Sequence, residues 1–234
     1  MSTTVNHFQN NDRMSMLEAR QRDVWRIFRI MSEFVDGFDL MGRVAPAVSI
    51  FGSARMKAGS RYYELTRQVA HDLAKAGYAI VSGGGGGLME AANRGAREGG
   101  GESIGLNIAL DFEQKANDFI DKDKLMTFQH FFVRKVMFVK YAQGFVVMPG
   151  GFGTLDEFSE AITLIQTRKT REFPVLLMGS KYWEKLLLWM EETALAEGCI
   201  AEEDMKMFHL CDDPDEAVTI IKDFGIRHGY VTNF

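Results

Sequence analysis

Short apolar segments alternate with segments of helical periodicity along most of the chain, and this alternation is the feature that most restricts the fold. The apolar segments are too short to be buried helices, and each is followed by a helical pattern. Strands that alternate with helices predict an α/β fold, in which helices cover both faces of a parallel sheet. The predicted strands are AVSIF, YAIVS, SIGLNI, KLMTFQ, GFVVM and FPVLLM.

The first 44 residues follow a different pattern. Residues 1–14 are polar, and we expect them to be disordered. Between Met16 and Met41, apolar side chains recur mostly at helical spacing, which predicts one amphipathic helix that packs on the main domain or on a partner subunit. We therefore divide the chain into residues 1–44, a disordered start with a helical extension, and residues 45–234, a single domain.

Composition excludes several classes of protein. The chain has 234 residues and a formal net charge of -5, which argues against a nucleic-acid partner because such proteins usually present a basic surface. The two cysteines have no CxxC spacing and the five histidines are scattered, so we expect neither a disulfide framework nor a metal site. Without a signal peptide or an apolar run of membrane-spanning length, we expect a cytoplasmic protein with no membrane partner.

A run of five glycines, Gly83 to Gly87, joins a predicted strand to the helix GLMEAANRGA. Glycine lets backbone N–H groups approach a ligand closely, and a helix N-terminus favours an anion. The run could also be no more than a tight turn. It lacks the GK[ST] of a P-loop, and it follows the second strand rather than the first, so it does not match a dinucleotide-binding fingerprint.

The segment MPGGFGTLDE follows another predicted strand and supplies a second candidate anion site. Two interpretations remain open on physical grounds. Thr154 and Glu157 fit a capping box, which would close the helix start without any function. Alternatively, the glycine N–H groups bind an anion and Glu157 performs chemistry beside it.

The helix FFVRKVMFVKYA carries two adjacent cations, Arg134 and Lys135, within an otherwise apolar sequence. They could be a solvated basic pair at the helix surface. They could also project into a site at the carboxyl ends of the strands, where ligands bind in parallel sheets.

These motifs, in this order, resemble those of the LOG ("lonely guy") family of cytokinin riboside 5'-monophosphate phosphoribohydrolases, many of which carry an older label of lysine decarboxylase. The PGGxGTxxE motif is matched in full from Pro149 to Glu157, and the Arg-Lys pair precedes it at Arg134 and Lys135. FGSAR, at the end of the first strand, is also similar. The chain departs from many relatives at Gly86, where proline is frequent. The resemblance covers roughly residues 45 to 225.

The resemblance implies a Rossmann-like nucleotide-binding domain, a homodimer or higher homo-oligomer, and no metal or organic cofactor. It implies hydrolysis of the N-glycosidic bond of a nucleoside 5'-monophosphate, either AMP or a cytokinin riboside monophosphate, to free base and ribose 5-phosphate. The decarboxylase label fits poorly, because such chemistry usually needs a pyridoxal phosphate on a lysine.

The resemblance also assigns the catalytic pair to Arg134 and Glu157. We predict that the substrate-binding residues are Ser53, Gly84, Gly85, Met89, Glu90, Lys135, Gly150, Gly151, Gly153 and Thr154. Phe132 and Phe152 are further candidates for the wall of a base pocket.

Three alternatives stay open at this point. Molybdenum-cofactor carrier proteins share the glycine-loop architecture and bind a phosphorylated pterin without turnover. An AMP nucleosidase outside hormone synthesis would use the same chemistry. A regulatory nucleotide sensor could use the N-terminal helix as its coupling element.

Overall fold

The computed structural model describes residues 24–44, 46–110, 115–230 and 232–234. Seven strands within these ranges form one fully parallel sheet. Its strands are β1 (Ala47–Phe51), β2 (Ala79–Ser82), β3 (Ser103–Ile108), β4 (Leu125–Phe128), β5 (Ala142–Val147), β6 (Val175–Met178) and β7 (His209–Cys211). The α/β class and the Rossmann-like sheet predicted from the sequence are therefore confirmed.

Helices connect the strands and cover both faces of the sheet. The described part of the N-terminal helix, α1, covers residues 24–41. The others are α2 (Arg61–Lys75), α3 (Leu88–Glu98), α4 (Phe131–Lys140), α5 (Phe152–Gln166), α6 (Ser180–Trp189) and α7 (Pro214–His228). A π-helical segment, Met190–Leu195, extends α6, and a short 3-10 turn lies at Asp204–Lys206.

The strand order is β4-β3-β2-β1-β5-β6-β7. The chain builds outwards from β1 to β4, returns through α4, and then builds outwards on the other side from β5. The direction of winding therefore reverses between β1 and β5, which are paired along their whole length. In an open parallel sheet, the loops that follow the strands at such a point diverge and leave a crevice for a ligand.

Two apolar cores, one on each face of the sheet, hold the layers together. Buried side chains of α2, α3 and α7 form one core with Val48 and Ile50 of β1. Side chains of α4, α5 and α6 form the other with Phe51 and Val147. Adjacent residues of β1 thus point into opposite cores, as the alternating geometry of a strand requires. The central strands are buried on both faces, which explains why the sequence shows them as continuous apolar runs.

Helix α1 packs on the second core through one side only. Ile30 and Phe34 contact the core, and Met41 is buried within it. Seven other apolar side chains of α1 leave much of their surface in solvent, at Val24, Trp25, Ile27, Phe28, Met31, Val35 and Phe38. The predictions for residues 1–14 and for the start of the helix at Met16 lie outside the described residues, and the division of the chain at residue 45 stays a prediction.

Two local features differ from the sequence expectation. Helix α5 begins at Phe152 with Gly151 as its N-cap, two residues before the expected start at Thr154. Strand β7 was not predicted, because its three residues, HLC, are too few to show a periodic pattern.

In the described part of the chain, no helix has both the length and the hydropathy that crossing a bilayer requires.

Candidate active site

A cavity of about 570 Å³ opens at the carboxyl ends of β1 and β5, where the winding of the sheet reverses. Its walls come from the loops after β1 and β5, from side chains of α3, α4, α5 and α6, and from the end of β3 with the loop after it. The lining residues that the argument below uses are Ser53, Arg55, Met89, Ile108, Leu110, Phe131, Arg134, Gly150, Gly151, Phe152, Gly153, Thr154, Glu157 and Tyr182. The cavity thereby brings together residues of FGSAR, of the Arg-Lys pair and of PGGFGTLDE.

One end of the cavity is formed by the start of α5. Because the helix begins at Phe152, its first N–H groups have no acceptor within the helix, and its dipole is positive at this end. The N–H groups of Thr154 and Leu155 both donate to the Gly151 carbonyl, at 3.0 Å each. Among the residues that the structure describes, the N–H groups of Gly150 and Gly151 have no hydrogen-bond acceptor. This end therefore suits an anion such as a phosphate.

The close packing of this loop requires glycine at position 150. A Cβ atom there would lie 2.0 Å from the Thr154 Oγ1 and 2.6 Å from its Cβ. At Gly151 and Gly153, in contrast, a Cβ atom would meet nothing within 4 Å. The three glycines of the motif thus have different roles, since only Gly150 is needed for the chain to fold back on its own helix.

The loop after β1 joins the loop after β5 directly. The Ser53 N–H donates to the Pro149 carbonyl at 3.0 Å, and the Ser53 carbonyl accepts from the Leu88 N–H at 2.9 Å. Ser53 therefore connects the start of α3 with the PGG turn. Its Oγ accepts a hydrogen bond from the Arg55 N–H at 3.1 Å, so both residues are held at the rim of the cavity.

Glu157 lies on the second turn of α5 and faces the cavity, although only 4% of its side chain is exposed. Its Oε2 atom has no hydrogen-bond partner among the described residues. Burial raises the pKa of this carboxyl to about 7, against the lowering effect of the Lys135 and Arg134 charges. A carboxyl with such a pKa and a free oxygen can accept or release a proton near neutral pH.

The capping-box interpretation of Thr154 and Glu157 is not supported by this geometry. Gly151 occupies the N-cap position, and no side chain caps the helix there. Thr154 and Glu157 lie inside the helix, so the Glu157 carboxylate cannot reach back to an N-cap N–H as a capping box requires. Both polar residues of the motif that fits a capping box in the sequence instead line the cavity.

Arg134 reaches the cavity from α4. Its Nη2 lies 3.7 Å from the Glu157 Oε1, a contact longer than a hydrogen bond. The guanidinium carbon lies 5.2 Å from the ring centre of Phe131 and 5.6 Å from that of Phe138, so both rings hold it in place. Burial lowers the pKa of Arg134, and its Nε has no hydrogen-bond partner among the described residues. Arg134 and Glu157 are thus adjacent, and each has one buried polar atom without a hydrogen-bond partner among the described residues.

Lys135 lies outside the cavity lining and pairs with two other carboxylates. Its Nζ lies 2.9 Å from the Asp156 Oδ1 and 2.9 Å from the Glu160 Oε2, and the residue does not line the cavity. The two ion pairs tie α4 to α5. This geometry gives Lys135 a role in fixing the helices that carry Arg134 and Glu157.

The glycine run at Gly83 to Gly87 is anchored by hydrogen bonds at Gly84 and Gly85. The Gly84 N–H donates to the Ser82 Oγ at 3.0 Å, and the Asn117 N–H donates to the Gly84 carbonyl at 2.9 Å. The Gly85 carbonyl accepts from the Asn117 Nδ2 at 2.9 Å. Buried Asn93 connects these groups by hydrogen bonds to Ser82 and Asn117. Gly84 and Gly85 lie outside the cavity lining.

The two candidates on α3 lie in different environments. Met89 lines the cavity, where its Sδ would lie 2.6 Å from a Cβ atom added at Gly83. Glu90 does not line it, and its Oε1 accepts a hydrogen bond of 2.8 Å from the Tyr63 hydroxyl.

Several lining residues were not predicted as site residues. Phe131, rather than Phe132, forms a wall, and Ile108 at the end of β3 and Leu110 in the loop after it add apolar surface. Phe152, a candidate wall residue from the sequence, does line the cavity and is 91% exposed. Arg55 and Tyr182 also line the cavity. The quoted motif FGSAR contains Arg55, whereas nothing in the local sequence distinguishes Tyr182 from an ordinary helical residue.

Within residues 24–44, 46–110, 115–230 and 232–234, no three His, Cys, Asp or Glu residues lie together as ligands for a metal ion.

Comparison with known proteins supports one family. The family model described as "possible lysine decarboxylase" matches residues 89–221, more than half of the chain. A cytokinin riboside 5'-monophosphate phosphoribohydrolase from Rhodococcoides fascians is 27% identical over 180 residues, which span 75% of this chain and 89% of the relative. The cytokinin riboside 5'-monophosphate phosphoribohydrolase LOG of Oryza sativa subsp. japonica is 26% identical over 175 residues, which span 74% of this chain and 71% of the relative.

Solved structures support the fold. The molybdenum cofactor binding protein of Rippkaea orientalis aligns with a TM-score of 0.59 at 21% identity, over 77% of this chain and 98% of that one. The Moco carrier protein of Chlamydomonas reinhardtii aligns with a TM-score of 0.55 at 19% identity, over 78% and 98%. At these identities the likeness concerns the fold alone. Taken with the match of the family model, the sequence motifs establish that this chain belongs to the LOG family, the family described as possible lysine decarboxylases.

Proposed function

We propose that this protein hydrolyses the N-glycosidic bond of a nucleoside 5'-monophosphate, releasing the free base and ribose 5-phosphate. The observation that carries the proposal is the position of Glu157, a buried carboxyl with an unpartnered oxygen, in the same cavity as an unoccupied set of backbone N–H groups. The names of the two relatives, both phosphoribohydrolases, agree with this chemistry.

The phosphate end of the substrate is assigned to the start of α5. The N–H groups of Gly150, Gly151 and Gly153 and the hydroxyl of Thr154 would bind the 5'-phosphate, with the helix dipole favouring its negative charge. Ser53 and Arg55 complete this end of the cavity. The net charge of -5 does not oppose such binding, because the local backbone groups supply the attraction.

The reacting end is assigned to Glu157, one helical turn further along α5. In the reaction, the C1'–N bond breaks, a water oxygen becomes bonded to C1', and one proton of that water is transferred, directly or in steps, to the leaving base. The ribose gains positive charge as the bond breaks, as in glycoside cleavage. A Glu157 carboxylate beside C1' would stabilise that charge and act as nucleophile or as base towards water.

Arg134 is the partner of Glu157 in the proposed mechanism. Its planar guanidinium, held between Phe131 and Phe138, can bind substrate oxygens or orient the Glu157 carboxylate. At 3.7 Å the two groups are close enough to interact and far enough apart for a substrate atom to contact both.

The base would lie against the apolar part of the cavity. Ile108, Leu110, Met89 and Phe131 line it there. AMP and isopentenyl-AMP are therefore the nucleotides to compare, since they differ only in an apolar substituent on the base.

The test is incubation of the purified protein with each nucleotide, with free base followed by chromatography. Glu157→Ala and Glu157→Gln should reduce base release by about a thousandfold or more and still bind nucleotide. Arg134→Ala should reduce turnover by about a hundredfold. Glu184→Gln is the control, because it removes an exposed carboxylate of α6 outside the cavity.

The outcomes are distinct. Tight nucleotide binding without base release by the wild-type protein would contradict hydrolysis and would favour a carrier or a sensor. Full activity of both Glu157 variants would remove Glu157 from the mechanism.

Two wider properties are proposed with the activity. The uncovered apolar side of α1 supports a homo-oligomer, because a patch of seven apolar side chains on one helix is typical of a protein contact. Light scattering should give a mass that is a multiple of 26.4 kDa, and Phe28→Asp should lower it. The free thiols of Cys199 and Cys211 fit a reducing compartment such as the cytoplasm.

A further inference from the structure

Tyr182 lies on the first turn of α6 and contacts the PGG turn that follows β5. The proposed mechanism gives it no role. Its hydroxyl donates a hydrogen bond of 2.6 Å to the Gly150 carbonyl. This is a short, strong contact for two neutral groups, and it is made to the same loop that carries the free N–H groups.

Helix α6 presents Tyr182 from a fixed position. The carboxylate of Asp212, which directly follows β7, accepts hydrogen bonds from the Gly179 N–H at 3.1 Å and the Ser180 N–H at 2.8 Å. The Ser180 hydroxyl donates to the same carboxylate. The Tyr182 ring packs edge-on against Tyr62 and Trp183. The position of the hydroxyl is therefore fixed by the anchoring of α6 at Asp212 and by the packing of the Tyr182 ring against two aromatic rings.

The carbonyl that Tyr182 binds determines the direction of the next N–H group. A peptide unit is planar and trans, so the Gly150 C=O and the Gly151 N–H point in opposite directions. Ser53 acts in the same way on the preceding unit, because its N–H holds the Pro149 carbonyl and so directs the Gly150 N–H. Within the described residues, both of these N–H groups lack an acceptor.

A peptide unit between two glycines can rotate at little steric cost. If the unit rotated, the Gly150 carbonyl oxygen would replace the Gly151 N–H and would repel a phosphate. We propose that Tyr182 is a positioning residue, whose hydroxyl holds the Gly150–Gly151 peptide in the orientation that binds the 5'-phosphate. This inference rests on the phosphate site of the proposed function and adds the residue that orients it.

The test compares Tyr182→Phe with Tyr62→Phe. The first removes the hydroxyl that bonds Gly150, and the second removes the hydroxyl of the adjacent tyrosine, which does not line the cavity. In Tyr182→Phe, the affinities for AMP and for inorganic phosphate should each fall about tenfold, whereas the affinity for adenosine stays within twofold. In steady-state assays, KM should rise by a similar factor with kcat changed less than threefold. Tyr62→Phe should match the wild type.

A backbone readout separates positioning from direct contact. In protein labelled with ¹⁵N-glycine and free of ligand, the Gly151 amide resonance should shift in Tyr182→Phe and stay in place in Tyr62→Phe. Weaker phosphate binding with an unchanged Gly151 resonance would show a direct contact between the hydroxyl and phosphate, and would overturn the positioning role.

Inorganic phosphate distinguishes this inference from the proposed function. If the wild type hydrolyses no nucleotide but binds phosphate, and Tyr182→Phe weakens that binding with the amide shift, the hydrolase is wrong and the positioning role stands. Equal loss of phosphate and adenosine affinity, or no phosphate binding by the wild type, overturns the positioning role.

Discussion

The glycine-rich loop at residues 83–87 and the loop at residues 149–153 both join a buried strand to a helix, yet they are held differently and contribute differently to the cavity. In the first loop, Ser82 and Asn117 bind the Gly84 N–H and the carbonyls of Gly84 and Gly85. In the second, the carbonyls of Pro149 and Gly150 are bound, while the N–H groups of Gly150 and Gly151 have no acceptor within the described chain. Of the first loop only Gly83 lines the cavity, whereas the second contributes Gly150, Gly151 and Gly153.

This difference separates two uses of glycine. At Gly87, φ is +66° and a Cβ atom would lie 2.4 Å from the Ser53 carbonyl oxygen, so glycine there permits close packing between two loops. At Gly151 and Gly153, a Cβ atom would meet open space. Glycine content alone therefore does not identify an anion site, which also needs N–H groups at a helix start that line a cavity.

The largest effect is expected for Gly150→Ala. The added methyl group would overlap Thr154, whose Cβ is fixed by the helix, so the start of α5 must move. We expect kcat/KM for AMP to fall by at least about a thousandfold, equivalent to about 4 kcal/mol. Steady-state kinetics and a crystal structure of the variant would check this, and retention of wild-type kcat/KM would show that the loop is not the phosphate site.

The stability of the protein should depend on pH through Glu157, the acid that follows the second loop. Burial raises the pKa of Glu157 to about 7, so the folded state binds this proton more tightly than the unfolded state does. The free energy of unfolding should therefore fall as pH rises from about 4.5 to about 7, by up to about 3 kcal/mol.

Urea unfolding across this pH range measures the effect. Glu157→Gln should remove the decrease, whereas Glu90→Gln, on the helix after the first loop, should retain it. The kcat/KM of the wild type should rise through the same range, because the mechanism needs the carboxylate. A stability profile that is identical in wild type and Glu157→Gln would contradict the raised pKa.

The first loop should respond to Asn93→Ala in stability more than in chemistry. Asn93 is fully buried and bonds Ser82, Ser103 and Asn117, so its loss leaves several buried groups without partners. We expect the free energy of unfolding to fall by roughly 2 kcal/mol, with KM changed only a few-fold at a temperature where the variant is folded. A large rise in KM with little loss of stability would place the first loop in the site after all.

The smallest effect is expected for Gly153→Ala. The position lies in the first turn of α5, with open space around an added Cβ atom. Alanine should raise the free energy of unfolding by about 0.5 to 1 kcal/mol, because it loses less backbone entropy in a helix. Thermal unfolding checks this, and a decrease in stability would indicate a contact that the open geometry does not contain.

The fold could be predicted from the sequence because the strands are buried on both faces and so appear as continuous apolar runs. β7 could not, since three residues carry no period and its pairing with β6 depends on the tertiary structure. The sequence predicts a start of α5 at Thr154, because threonine is a good N-cap residue. The backbone is already helical from Phe152, directly after Gly151.

The cavity lining could be predicted where one motif carries both the glycine turn and the polar side chains, as in PGGFGTLDE. Gly84, Glu90 and Lys135 were predicted as site residues but do not line the cavity. They bond to Asn117, Tyr63 and Asp156 respectively, and these partners are distant in the sequence or have no distinctive pattern. Tyr182 illustrates the same limit, because its function depends on a single bond to a carbonyl 32 residues away.

The contact between α1 and α4 means that the arginine of the site has a support outside the region that defines the family. The Glu33 carboxylate accepts hydrogen bonds from the Gln129 and His130 N–H groups, directly before the helix that carries Arg134. The family match begins only at residue 89. Descendants of this protein could therefore diverge in reaction rate through changes in their amino-terminal extension while the inherited motifs stay identical, and a comparison restricted to the motifs would regard such proteins as equivalent.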